Sequence, residues 1–254
     1  MGGFHIAAGL LDAAIVDLDG TMVDTVPDFE LALGGALADL GYPPVGRAFI
    51  GRTVGKGSEH LIRSTLREVG APADLYDRAW DRYQHHYLTI NGNESTVFPG
   101  VIQGLQLLRG QGLRLACLTN KPTAFARPLL AAKGLDGFFD QVFGGDAFER
   151  KKPDPLPLLK TCEALGTMPA RTLMVGDSSN DAQAARAAGC PVVLVTYGYN
   201  HGEPIADARP DALLERIDQL RWPPQGCWSP RPPRTAATPR GGARPLGAAR
   251  RGLR

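Results

Sequence analysis

The chain has 254 residues, 43% of them apolar, and a formal net charge of +2 at pH 7. That is apolar material for one substantial core and a smaller second one, and no stretch approaches the roughly 20 consecutive apolar residues of a membrane span, so a globular protein without a membrane segment is expected. The charge also excludes a basic nucleic-acid groove in the folded part: residues 223–254 carry seven Arg and no Asp, Glu or Lys, which leaves residues 1–222 with 21 basic and 26 acidic side chains, a net of −5.

Taken in chain order, the first eleven residues have no basic region ahead of their apolar ones, and Ile6 stands where a myristoylation motif needs Ser or Thr. Neither export nor lipid anchoring is expected. Residues 13–16 are the first of five short apolar runs that read as strands, the others being 115–118, 142–143, 173–175 and 192–195. Each is apolar on both faces, as strands of a covered parallel sheet are. About a hundred residues separate the first run from the second, too many for a simple crossover. That stretch is helical in pattern: 28–40 ends at Gly41, 58–69 ends at Gly70, and 73–87 ends before Asn91 and Gly92. A further helix is expected over 100–108, and helices over 124–133, 155–165 and 180–188 separate the later strands. The fold class is therefore α/β: a Rossmann-like parallel sheet core, residues 1–24 and 97–222, with an inserted α-helical cap, residues 25–96. Residues 223–254, 24 of whose 32 positions are Pro, Arg, Gly or Ala, read as a disordered tail. An inert or frame-shifted segment is the reading preferred to a basic nucleic-acid arm, so neither a nucleic-acid nor a membrane partner is expected. The four cysteines are far apart with no CxxC pair, so a reducing cytoplasm is expected, with neither a zinc site nor a disulfide framework.

Ligands of such sheets bind beyond the carboxyl ends of the strands. After the first run stands Asp17-Leu18-Asp19-Gly20-Thr21. Two carboxylates two residues apart on extended backbone point the same way, and paired aspartates suit a hard cation such as Mg2+ beside a phosphate ester. Asp17, ionised at neutral pH, suits nucleophilic attack, and Asp19 suits proton transfer. A strand-ending turn explains the same residues equally well. After the second run come Thr119, Asn120 and Lys121, after the third Lys151-Lys152-Pro153, and after the fourth Gly176-Asp177-Ser178-Ser179-Asn180-Asp181. A helix-start hydroxyl, a loop lysine and an N-terminal helix acid are ordinary singly. Four polar signatures at four strand ends are not an ordinary coincidence.

In order and spacing, DLDGT at 17–21, TN at 119–120, KP at 152–153 and GDSSND at 176–181 resemble the four motifs of haloacid dehalogenase-like phosphatases. The resemblance implies that Asp17 is the nucleophile and Asp19 the acid and then base. It further implies that Thr119, Asn120 and Lys152 bind the phosphoryl group, and that Mg2+ is held by Asp17, Asp177 and the carbonyl of Asp19, with Asp181 in support. Residues 23–28, 40–44 and 54–57 look like the cap entrance of bacterial phosphoglycolate phosphatases. The implied reaction is hydrolysis of 2-phosphoglycolate, a small-molecule ester, with Arg52 or Lys56 meeting the substrate carboxylate unless both are solvated surface charges. A phosphatase for another sugar phosphate or nucleoside monophosphate, a sugar phosphomutase and a non-catalytic binding protein are the alternatives. The glycine-rich stretch 51–57 is one residue short of a P-loop and has Gly57 where a metal-binding hydroxyl belongs. His85 and His86 are adjacent on a helix and point about 100° apart, so they form no shared metal site. His5, His60 and His201 are isolated, and Trp80, Tyr83 and Tyr87 recur at helical spacing as core. Oligomeric state is not legible.

Overall fold

A computed structural model describes residues 10–221. The tail expected at 223–254 lies outside the described residues. In chain order the elements are β1 (Ala13–Val16), β2 (Val23–Asp24), α1 (Val26–Leu40), α2 (Arg47–Thr53), α3 (Ser58–Glu68), α4 (Tyr76–Ile90), β3 (Thr96–Val97) and α5 (Val101–Gly110). They continue with β4 (Arg114–Leu118), α6 (Thr123–Ala132), β5 (Gln141–Phe143), α7 (Leu156–Leu165), β6 (Thr172–Gly176), α8 (Ser179–Ala188), β7 (Val192–Val195) and β8 (Ala212–Leu214).

Six strands form a parallel sheet in the order β5-β4-β1-β6-β7-β8. Strand side chains alternate between faces, and here both faces are covered. Ala14 and Val16 of β1, Leu115 and Cys117 of β4 and Val193 and Val195 of β7 enter one apolar cluster. Ala13 and Ile15, Ala116 and Leu118, and Val192 and Leu194 enter the cluster on the opposite side. Each fully buried Val, Leu or Ile side chain among them contributes roughly 1.5–3 kcal/mol relative to exposure, which is why these strands carry no polar alternation. β1 is flanked by β4 on one side and β6 on the other, so the chain switches direction across its carboxyl end. A crevice opens at that point.

Helices α1 to α4 assemble a third cluster around Phe29, Ile50, Ile62, Tyr83 and Tyr87, completed by Phe125 from α6. Tyr83 and Tyr87 are fully buried and stacked at 5.3 Å, and Trp80 packs against this cluster, so the aromatic spacing reads as core, as expected. Helix α1 ends at Gly41, whose φ of 80° is the left-handed conformation that closes the helix. Helix α2 was not expected, because its seven residues include Gly51 in a stretch that reads as a glycine-rich loop. His86 Nε2 lies 2.8 Å from Asp39 Oδ2, a surface pairing. The passages into and out of this helical segment run side by side, β2 and β3 pairing antiparallel as Val23 with Val97 and Asp24 with Thr96. Among the described residues, no helix is long and apolar enough to cross a membrane.

Candidate active site

Asp17 is the first residue beyond β1, and its N–H donates to the Val175 carbonyl of β6 at 2.9 Å, so the sheet's own ladder fixes its backbone. The chain then turns at Gly20, where φ is 84°. A Cβ at that position would fall 2.2 Å from Asp177 Oδ2, so the turn that presents Asp19 needs glycine on both counts. The Thr21 hydroxyl donates to Asp177 Oδ1 at 3.1 Å, tying the turn after β1 to the turn after β6.

Lys152 reaches the same point from the loop after β5. Its Nζ lies 2.9 Å from Asp17 Oδ1, an ion pair outside hydrogen-bonding angles, and donates to Asp181 Oδ1 at 2.7 Å and to the Leu118 carbonyl at 2.9 Å. Asp181 closes the first turn of α8 through a capping box with Ser178, its Oδ2 accepting the N–H of Asp177 and the N–H and hydroxyl of Ser178. Asp177 is held by Thr21 and by the Tyr199 N–H, which donates to its Oδ2 at 2.7 Å.

The electrostatics follow from burial. Asp17, Asp177, Asp181 and Lys152 are all nearly inaccessible, so three clustered carboxylates have one ammonium near them, and it pairs directly with Asp17 and Asp181. Burial pushes the Asp17 carboxyl up to about 7, opposed by the Lys152 charge and reinforced by Asp181. Burial, with the charges of Asp181 and Asp17, holds Asp177 well above the usual carboxylate range. Desolvation acts to lower the Lys152 ammonium, but the charges of Asp17 and Asp181 outweigh it and raise it. One oxygen each from Asp17, Asp177 and Asp181 lies within 4.8 Å of the others. A divalent cation fits this set, because the oxygens are hard and the surplus negative charge is otherwise uncompensated in a buried place.

A cavity beside this cluster is lined by Asp17, Asp19, Thr119, Asn120 and Lys121 from the sheet ends and by Phe29, Val54, Gly55, Gly57, Ser58 and Leu61 from the helical segment. Asp17, Asp19, Thr119, Asn120, Lys152, Asp177 and Asp181, named from sequence, are thus brought to one place. Two details bear on the roles expected of Asn120, Arg52 and Lys56. The Asn120 amide is engaged elsewhere: its Oδ1 accepts the Lys152 N–H at 3.1 Å, and its Nδ2 donates to the Lys152 carbonyl at 2.8 Å and the Gly55 carbonyl at 2.9 Å. Its side chain positions Lys152 and grips the loop after α2. Arg52 and Lys56 are exposed and neither lines the cavity.

Sequence reasoning gave no role to the side chains of three residues that the fold brings in. Lys121 is buried with its Nζ donating to Asp19 Oδ1 at 2.9 Å. The Tyr199 hydroxyl donates to Asp24 Oδ1 at 2.7 Å and accepts the Thr25 N–H at 2.9 Å, joining the Asp177 loop to the start of the helical segment. His201 lies against Gly55, its Nε2 3.1 Å from Asn180 Nδ2, and burial with the Lys56 charge pushes its imidazole down to about 4. The cue for Lys121 was its place directly after the threonine and asparagine at a strand end. No local signal marks the other two.

Residues 11–189 match the family described as haloacid dehalogenase-like hydrolase. A protein of Thiobacillus denitrificans named phosphoglycolate phosphatase is 43% identical over 210 residues, covering 82% of this chain and 92% of that protein. One of the same name from Pseudomonas putida is 41% identical over 241 residues, covering 91% of this chain and 85% of its own length. Among solved structures, one from Haemophilus somnus 129pt, described as a predicted phosphoglycolate phosphatase, superposes with a TM-score of 0.79 at 33% identity, covering 82% of this chain and 96% of that one.

Proposed function

The chain belongs to the haloacid dehalogenase-like hydrolases, and from that premise we propose that it is a phosphatase that hydrolyses 2-phosphoglycolate to glycolate and phosphate. The observation that carries the reading is Asp17, a carboxylate at the end of the central strand, 2.9 Å from a buried ammonium and opening onto a cavity it shares with Asp19 and Thr119. The substrate is taken from the relatives of that name, which match this chain at 39–44% identity over most of its length.

An Asp17 oxygen attacks phosphorus as the ester oxygen leaves, giving an aspartyl phosphate, and Asp19 gives the departing alkoxide its proton. In the second displacement Asp19 takes a proton from water, which attacks phosphorus and restores the Asp17 carboxylate. The Thr119 hydroxyl and the Lys152 ammonium hold the non-bridging oxygens, where charge spreads during transfer. Asn120 acts one step back by fixing the Lys152 backbone. The family generally uses a divalent metal. Asp17, Asp177, Asp181 and the Asp19 carbonyl would hold it, Mg2+ in our reading, and it would neutralise phosphoryl charge.

Residues 25–96 act as a cap over a core of residues 1–24 and 97–222, a reading supported by the grip of Asn120 and Asn180 on the Gly55 carbonyl at 2.9 and 3.2 Å. Cys117, Cys162 and Cys190 are free and buried, which supports a reducing compartment, the cytoplasm. The test is phosphate release from 2-phosphoglycolate, hexose phosphates, nucleoside monophosphates and pyrophosphate, with Mg2+ or chelator, for the wild-type chain and Asp17→Asn. Magnesium-dependent preference for 2-phosphoglycolate, lowered at least ~1,000-fold in the variant, is expected. Strongest release from another ester would sink the substrate, and full activity in Asp17→Asn would sink the mechanism.

A further inference from the structure

Among the described residues only two lysines are buried, Lys121 and Lys152. The mechanism uses Lys152 and leaves Lys121 without a task. Burying an ammonium is expensive unless its partners recover the lost hydration. Asp19 supplies one partner at 2.9 Å, and two aromatic faces supply the rest: Nζ stands 4.4 Å from the Phe29 ring centroid and 4.7 Å from that of Tyr87. Ring faces hold a cation chiefly by its charge and engage its N–H groups only weakly, far less than an oxygen acceptor would. An ammonium has three donors, and among the described residues the hydrogen bonds of Nζ go to Asp19 alone. Lys121 also lines the cavity, whereas Arg52 and Lys56 are exposed and do not.

The position identifies what the remaining donors would meet. Asp17 faces phosphorus, and Asp19 faces the leaving oxygen if it is to protonate it. A cation bonded to the Asp19 carboxylate therefore lies on the leaving-group side, away from the phosphoryl oxygens that Thr119 and Lys152 hold. Resting on the proposed function, the geometry points to Lys121 as the specificity residue that takes the substrate carboxylate, bridging it to Asp19. In a 2-phosphoglycolate molecule that carboxylate hangs from the carbon bearing the ester oxygen, so it must sit within one side chain's reach of Asp19. Phe29 and Tyr87 come from α1 and α4, so the helical segment contributes the walls of this seat and the sheet contributes the charge.

The test compares kcat/KM for 2-phosphoglycolate with that for 2-hydroxyethyl phosphate, which has similar size and leaving-alcohol acidity but no carboxylate. The wild-type ratio is expected to be at least ~100, the size of a lost charge-assisted contact. In Lys121→Met, which keeps the apolar stem against the rings, the ratio falls to within ~5, chiefly through KM for 2-phosphoglycolate, and in Lys121→Arg it stays above ~10. A ratio preserved in Lys121→Met, or an equal loss on both esters in a variant that melts normally, overturns the inference and leaves the proposed function standing. A wild-type chain without preference between the two esters overturns both. If Lys121→Met does not fold, the 15N resonance of the Lys121 ammonium decides in the inactive Asp17→Asn chain. It should shift on adding 2-phosphoglycolate and not on adding 2-hydroxyethyl phosphate, and identical responses to the two esters refute the assignment.

Discussion

Three buried carboxylates around one ammonium give the end of β1 a definite pH signature. The folded chain holds the Asp17 proton up to about 7, against an ordinary value of 3.8. Over that window the folded state binds a proton that the unfolded state has released. Stability of the metal-free chain is therefore fullest below the window and falls as pH rises through it. Asp177 is shifted the same way by its own burial, so it adds to the slope. In chelator, the unfolding free energy of the wild type in urea is expected to fall between pH 4.5 and 7.5 by more than that of Asp17→Asn, the difference being on the order of a few kcal/mol. Parallel pH profiles for the two chains would show that Asp17 ionises normally. These perturbed groups were singled out in sequence because each directly follows an apolar strand. Lys121, Tyr199 and His201 were passed over because their partners lie 102, 175 and 21 residues away in the chain, and no local pattern encodes such meetings.

At the scale of elements, the joint between sheet and helical segment is held by Asp28 in the first turn of α1. Fully buried, it accepts the N–H groups of Gly92 at 2.7 Å, Glu94 at 2.8 Å and Ser95 at 3.2 Å, together with the Ser95 hydroxyl. Asp28→Ala would strand these donors, at roughly 1–3 kcal/mol for each one left unsatisfied. We expect a lower urea midpoint and early hydrogen exchange at residues 92–95, and unchanged protection there would mean that water or main chain replaces the carboxylate. Legibility in sequence also divides by element. β1 and β7 were placed at their observed bounds because runs of small and β-branched apolar residues bounded by turn residues leave little choice. β8 escaped notice: three residues, only one buried, following Arg209-Pro210-Asp211, carry too little pattern. β2 and β3, two residues each, exist through pairing with each other and have no signal of their own. Helix α4 starts at Tyr76 and runs to Ile90, beyond the expected 87, because Pro72 and a short turn at Ala73–Leu75 delay its start and Asn91 stops it.

For the whole molecule, the metal should act as part of the fold. A cation that binds the folded aspartate cluster and not the unfolded chain stabilises by mass action, about 2.7 kcal/mol at a hundredfold excess over its dissociation constant. For a chain of this size that corresponds to a melting temperature higher by roughly 5–10 °C in Mg2+ than in chelator at pH 7.5. Asp177→Asn should abolish most of the increment; an equal increment in that variant would place the ion elsewhere. The β2–β3 ribbon has a different kind of consequence. It pins Asp24 beside Thr96, so everything threaded between them begins and ends at one point on the sheet's rim. The entropy of closing a loop rises only with the logarithm of its length, and once the ribbon has formed, β1 and β4 are joined by a bridge of fixed span however much chain lies beyond it. The helical segment can therefore lengthen, shorten or be exchanged for another without altering the register of the strands that carry the aspartates, so the walls it lends to the cavity are free to vary while the charged groups at the strand ends stay in place.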